Sequence, residues 1–462
     1  GVAANGANVL TVRGALTNAS HYSYFVVDGA TAEYRRDLAA SAGPAQVRAG
    51  GAAALAAAAF AEPLVLALDA QGAPTWVADA NGQLPDKAWA TATTNERFAV
   101  IEADAVPLLA PEPAAADAWF LAETNRIDYL VVAPRALTNA VQELADYRAG
   151  QGLRVGVAVF EDACDLLAGG LRTPEAIPAL VRRAATPWAV SPQMLLLAGN
   201  GHYDYLESMG TETNHLPPML CQTYDGLFAA DELLADAGGD DLPDVAVGRL
   251  PACSAEELAA MIAKIEAYEA DFGAGWQNQL AFANDKADAA GNFAASVAQF
   301  TNRVQSPFAV SARIDLDATA IAAARAALFA AFNAGAGVLT YSGHGTSVKW
   351  SSQGLLTAAD VAGLTNARTP FVASLCCLAG HFEAPAVNSL AELLMQRPQA
   401  GAVAVWASSG LPLNGPETDM GNAFFRQMLQ ERAGPLGRVM LQTRRSLPGV
   451  MFTRNSYVTA NL

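Results

Sequence analysis

Val338-Leu339-Thr340-Tyr341-Ser342-Gly343-His344-Gly345 and Pro370-Phe371-Val372-Ala373-Ser374-Leu375-Cys376-Cys377-Leu378-Ala379-Gly380 decide the reading of this chain. Each is an apolar run of buried-strand length that stops abruptly at glycine, with a reactive side chain where the strand ends. In open α/β sheets ligands sit outside the carboxyl ends of the parallel strands, so a histidine and a cysteine leaving two strand ends meet although they are distant in sequence. The pairing predicts nucleophilic catalysis. The thiolate attacks, and a neighbouring imidazole raises the thiolate fraction and later protonates a leaving amine. Adjacent strand residues point to opposite faces, so only one of Cys376 and Cys377 faces such a site.

Working outward, the strand Gln279 to Ala283 ends in Asn284-Asp285. This places Asp285 at the same sheet edge, where a carboxylate orients an imidazole and stabilises its cation. Glycines 343 and 345 beside the histidine, with the Cys377 amide, are the nearest backbone donors for an oxyanion hole. Upstream, Ile127 to Ala133, Val155 to Phe160 and Met194 to Leu197 read as strands alternating with a helix from Leu137 to Arg148, which predicts a mostly parallel sheet covered by helices. Ser254-Ala255-Glu256-Glu257 reads as a capping box opening a helix whose apolar stripe is Leu258, Met261, Ile262 and Ile265. A second α/β unit follows, with a helix from about 318 to 333, the His344 and Cys377 strands, and a strand from Gly401 to Trp406.

The expected fold is therefore α/β, two side-by-side subdomains preceded by a small β-rich domain. Its bounds are 1–107 for the β-rich domain, 108–126 for a Pro/Ala linker, 127–272 for the first α/β subdomain and 273–462 for the second, which carries the Cys/His pair. The β-rich reading rests on alternating stretches at 9–13, 22–27 and 64–68.

The 462 residues carry a formal charge of −17, which opposes binding to nucleic-acid phosphates or an anionic membrane and favours basic substrates. Apolar stretches break well before the roughly 20 residues of a membrane span. The five cysteines, at 164, 221, 253, 376 and 377, form no CxxC pair, so a disulfide framework is not expected. No GxGxxG or GxxxxGK[ST] follows a strand, which disfavours a nucleotide-binding protein.

The run Tyr-Ser-Gly-His-Gly, the Trp350 after it, Cys377-Leu378-Ala379-Gly380-His381-Phe382, Ser389-Leu390-Ala391-Glu392 and Leu242-Pro243-Asp244-Val245-Ala246-Val247-Gly248-Arg249-Leu250-Pro251 together resemble the gingipain-type cysteine peptidases, a caspase-like group. The resemblance covers roughly residues 127 to 462. It implies a secreted or cell-surface cysteine endopeptidase acting on protein or peptide substrates through a thioester, as a monomer without a membrane span. It assigns Cys377 as nucleophile, by the Cys-x-x-Gly-x-Phe pattern, with His344 as base and Asp285 as supporting carboxylate; Cys376 is then core.

Specificity belongs to the strand-end residue Trp406 and the loop 407–419, where Glu417 or Asp419 matches the acidic residue of lysine-preferring relatives. The acidic position of arginine-preferring relatives falls in Phe293-Ala294-Ala295-Ser296 and is not matched, so the resemblance favours lysine over arginine. Cys/His chemistry needs no cofactor. The acidic group Asp204, Asp225, Asp231, Glu232, Asp240 and Asp241 with His202 has no metal-ligand spacing, and hard oxygen donors suit a structural calcium. Two other classes share these features: an acyl-transfer or maturation enzyme using the same pair, and a non-catalytic binding protein on a peptidase fold, which the retention of both His344 and Cys377 disfavours. The opening Gly1-Val2-Ala3-Ala4, without methionine or a secretory signal, reads as a processed or excised fragment, and the end at Leu462 reads as lacking carboxyl-terminal material.

Overall fold

The computed structural model describes residues 118–432 and 434–447, together with the backbone of short strands between 45 and 102 and at 460–461. The stretches expected as strands at 9–13 and 22–27 lie outside the described residues. The chain divides into two compact units, Gly1–Pro113 and Ala114–Leu462. In the first, β1 (Ala45–Arg48), β3 (Pro63–Leu68), β4 (Pro74–Trp76) and β6 (Arg97–Glu102) form an antiparallel sheet in the order β1-β6-β3-β4, and β2 (Ala53–Ala56) pairs with β5 (Ala88–Ala92).

The second unit holds two parallel sheets. The first contains β7 (Tyr129–Ala133), β8 (Val155–Val159), β9 (Met194–Ala198) and β12 (Ala246–Leu250) in the order β12-β9-β7-β8; between β9 and β12 lies an antiparallel hairpin of β10 (Leu220–Gln222) and β11 (Leu227–Ala229). Helices α1 (Thr138–Gly150), α2 (Phe160–Leu167) and α3 (Ala176–Ala185) cover this sheet. Phe160, expected to end a strand, instead opens α2.

Helix α4 (Ala255–Ala270) leads to the second sheet. Ser254 Oγ accepts from Glu257 N at 3.2 Å as its N-cap, but the Glu257 carboxylate reaches back to Cys253 N at 2.8 Å, one residue before the expected partner. Leu258, Met261 and Ile262 are buried as the periodicity predicts, while Ile265 is only partly so. Lys264 on the same helix donates to the carbonyls of Leu394, Met395, Ala400 and Ala402, tying the linking helix to the second sheet's connections.

The second sheet is built from β13 (Gln279–Asn284), β14 (Ala309–Asp315), β15 (Val338–Ser342), β19 (Phe371–Leu375), β20 (Ala404–Ser408) and β21 (Ala460–Asn461), in the order β14-β13-β15-β19-β20-β21. All its pairs are parallel except β20 with β21. Central β15 and β19 are buried along their whole length, as expected of strands covered on both faces. Their side chains alternate between two cores: Leu339, Tyr341 and Val372 enter the cluster that runs through α4, whereas Val338, Phe371, Ala373 and Leu375 meet Phe424 and Phe425 on the other face. After β15 come the short strands β16 (Gly345–Thr346), β17 (Lys349–Trp350) and β18 (Leu356–Thr357). Helices α5 (Phe293–Thr301), α6 (Ile321–Ala334), α7 (Ala358–Val361), α8 (Leu390–Gln396), α9 (Asn414–Phe425) and α10 (Leu436–Arg445) complete the unit.

Candidate active site

Parallel register sets the site. Ser342 of β15 stands opposite Leu375 of β19, and both strands stop there, so His344 and Cys377 each emerge two residues beyond the same level of the sheet. The turns touch. A Cβ on Gly345 would collide with Cys376 Sγ and come within 2.7 Å of the Cys377 carbonyl, so glycine is what lets the histidine turn close on the cysteine turn.

Cys376 and Cys377 separate as opposite-face neighbours must. Cys376 is fully buried, its sulfur 3.3 Å from Ser374 Oγ, which itself accepts from Trp350 Nε1 at 2.7 Å. Trp350 stacks on Tyr341 with ring centroids 4.7 Å apart. Cys377 is partly exposed, and its sulfur lies 3.7 Å from the Pro412 carbonyl. The low-pKa thiol expected from a neighbouring imidazole is not what this arrangement gives. Burial first, then the charges of Glu417 and Asp225, push the Cys377 thiol up to about 12, and the imidazole, bonded elsewhere, does not offset them.

His344 Nε2 is 2.8 Å from Asp288 Oδ2, and the Phe293 ring meets the imidazole edge-on with centroids 5.3 Å apart. The hydrogen bond to His344, followed by one from the Ala290 amide, holds the Asp288 carboxyl below its usual range. The sequence pointed to Asp285 as the carboxylate on the imidazole; the structure brings Asp288 there instead. Asp285 is buried beneath, receiving Tyr341 Oη at 3.1 Å, the His344 amide at 3.3 Å, Ser351 Oγ at 2.9 Å and its neighbour Lys286 N at 2.8 Å. It grips the backbone of the histidine turn, not the ring. Asp285→Ala strands the His344 amide and the Ser351 hydroxyl, while Tyr341 Oη keeps the His344 carbonyl at 2.8 Å, and should cost about 3 kcal/mol of stability, read as a lower urea midpoint. A wild-type midpoint would contradict that role.

Of the expected oxyanion donors, Gly343 N is spent on the Leu375 carbonyl at 3.2 Å. Gly345 lies beside the cysteine turn. Cys376 N and Leu378 N donate to Ser374 O and Gly410 O, whereas Cys377 N has no backbone acceptor among the described residues.

Pro412, whose carbonyl lies 3.7 Å from that sulfur, joins Glu417, Met420, Trp406 and the ends of β19 and β20 in lining a very small pocket, of which Cys377 is not itself a lining residue. Trp406 is 1 % exposed and packs on Phe424, so it forms the floor of that pocket as a core residue. Glu417, in the first turn of α9, is 7 % exposed with no side-chain partner among the described residues, and burial drives its carboxyl well above the ordinary range. Asp419 is exposed on the solvent side of the same helix and outside the pocket. Within the stretch 293–296, where no acid stands, Ser296 Oγ meets Thr418 Oγ1 at 2.7 Å.

The acidic group weighed for calcium is dispersed. Asp231 is clamped by Arg249 and Glu232 pairs with Arg444, while Asp204 and Asp240 bond turn amides; no group of three or more His, Cys, Asp or Glu residues converges among the described residues.

A cysteine and a histidine on adjacent ends of a parallel sheet, with a carboxylate on the imidazole, define a caspase-like cysteine peptidase. Comparison with known proteins gives the family. Residues 122–460 match peptidase family C25. The fold is similar to the Arg-specific cysteine proteinase gingipain R (RgpB), with a TM-score of 0.59 and 19% identity over 76% of this chain and 78% of that one. The complex of Porphyromonas gingivalis RgpB pro- and mature domains matches with a TM-score of 0.58 and 19% identity over 72% and 77% of the two chains. No curated protein matches the sequence. The chain belongs to peptidase family C25 and is a cysteine endopeptidase, with proteins or peptides as its substrates. Among the described residues no helix is long and apolar enough to cross a membrane.

Proposed function

We propose that Cys377 is the nucleophile and His344 the proton carrier of an endopeptidase that cleaves after a basic residue, lysine in preference to arginine. The observation that supports the pair is their emergence at one level of adjacent parallel strands, with Gly345 closing the gap. His344 takes the thiol proton, the sulfur attacks the peptide carbonyl, and the tetrahedral oxyanion is met by the Cys377 and Gly345 amides. Collapse expels the amine with the proton from His344; water, deprotonated by the same imidazole, then hydrolyses the thioester. No cofactor enters these steps. Asp288, bonded to Nε2, fixes the ring so that Nδ1 serves the sulfur.

The unpartnered Glu417 in the pocket beside the sulfur supports basic specificity, because a buried carboxylate selects the cation that completes it. The protein is proposed to work as a monomer, secreted or at the cell surface. A peptide-library digest with mass-spectrometric mapping of the cut sites tests the reading, with cleavage after lysine expected; cuts mainly after small or apolar residues would overturn it. Asp288→Asn should lower kcat by about 10- to 100-fold with little change in KM, a smaller loss than His344→Ala. Unchanged kcat would remove Asp288 from the machinery.

A further inference from the structure

The hairpin β10–β11 belongs by connectivity to the first subdomain, yet it is fastened to the cysteine turn of the second. Ala229 N donates to Glu383 Oε1 at 2.8 Å, Ser409 Oγ donates to the Ala229 carbonyl at 2.7 Å, and the Phe228 ring meets His381 with centroids 6.0 Å apart. His381 and Ser409 flank the two loops that leave β19 and β20, so the base of the hairpin is fixed beside the loop that carries Cys377.

The tip is held in one shape. Thr223 N and Oγ1 both donate to the Gly226 carbonyl, at 2.7 and 2.9 Å, and Asp225 N donates to Thr223 Oγ1 at 3.1 Å. Gly226 supplies the φ of 141° that the turn requires. This presents Tyr224, 89 % exposed, beside Asp225, whose carboxylate has no hydrogen-bond or ion-pair partner among the described residues. The Asp225 charge reaches Cys377, where it adds to that of Glu417. Asp225 on the hairpin turn and the buried Glu417 thus both add negative charge around Cys377, on a chain of formal charge −17.

We propose that the Tyr224–Asp225 tip is a second substrate subsite: with one basic side chain seated on Glu417, a neighbouring basic residue of the same peptide pairs with Asp225, so the preferred substrates carry two basic residues together. This rests on Glu417 being the specificity carboxylate of the proposed function. The Tyr224 ring offers the second cation a face to lie on. Because Asp225 is only half-buried, the pair it forms is screened by salt, unlike the one in the pocket.

The test is kcat/KM for internally quenched peptides with no basic residue, one lysine, or one lysine with a second basic residue placed on either side of it. The parent should favour a dibasic peptide over the monobasic one by about fivefold at low salt, and less in 0.5 M NaCl. In Asp225→Asn the ratio should fall to near one. The salt series on the parent needs no variant to fold. A dibasic ratio unmoved by Asp225→Asn or by salt overturns the proposal. Equal cleavage of dibasic and monobasic peptides by the parent overturns it too, while leaving the Glu417 reading intact. Indifference of the parent to any basic residue overturns both.

Discussion

Cys377→Ala should abolish peptide hydrolysis, a loss of about 10⁴-fold or more, while Cys376→Ala should keep most of it. The contrast follows from the strand end. Cys376 points into the core against Ser374 and Gly345, where trimming a buried thiol costs about 1–2 kcal/mol of stability and touches no reacting atom. Of the two adjacent thiols Cys377 is the one partly exposed to substrate, since its neighbour is fully buried. Initial-rate assays and urea melts on the two variants separate the roles: activity falls in one and the midpoint in the other. The reverse pattern would exchange the two assignments.

Glu417→Gln should move two readouts in opposite directions. Losing the pocket carboxylate removes the partner of a substrate ammonium in a partly dry site, at about 2–5 kcal/mol, or roughly 30- to 5000-fold in kcat/KM for lysine substrates. Burial holds the Glu417 carboxyl well above its ordinary range, so only at pH values where that carboxyl is ionised does the same change remove a negative charge that holds the Cys377 thiol up and let iodoacetamide react faster. In the parent that thiol stays protonated across the neutral range, and alkylation without substrate climbs with pH. A misfolded pocket would slow both readouts. Only loss of turnover with gain of thiol reactivity fits a carboxylate that serves the substrate.

The parallel sheets and the strand ends that carry His344 and the two cysteines were legible because strand length, the glycine stops and side-chain alternation are local properties of the chain. The preference for Cys377 over Cys376 came only from the resemblance; the structure agrees with it in burial, since β19 ends at Leu375, Cys376 turns inward and Cys377 is partly exposed. Asp288 was not legible. It sits three residues past the expected Asp285 in the turn closed by Asp288 N to the Gly291 carbonyl at 3.0 Å, and which of two acids in one loop meets the imidazole depends on that turn's path. Glu417 and Asp419, equal as loop acids, were separated by helix phase, because α9 buries one and turns the other to solvent. The hairpin tip was read only as part of a diffuse acidic group, since nothing local tells that β10–β11 reaches across to the second sheet.

The central claim is that one thiol does the chemistry with a basic residue bound beside it. A peptidyl acyloxymethyl ketone ending in lysine, incubated with the parent, His344→Ala and Cys377→Ala proteins and followed by peptide mapping, tests it most directly. The account predicts a single thioether on Cys377 in the parent, strongly slowed in His344→Ala and absent in Cys377→Ala. Modification of Cys376, or labelling of Cys377 that proceeds at the parent rate without His344, would contradict it.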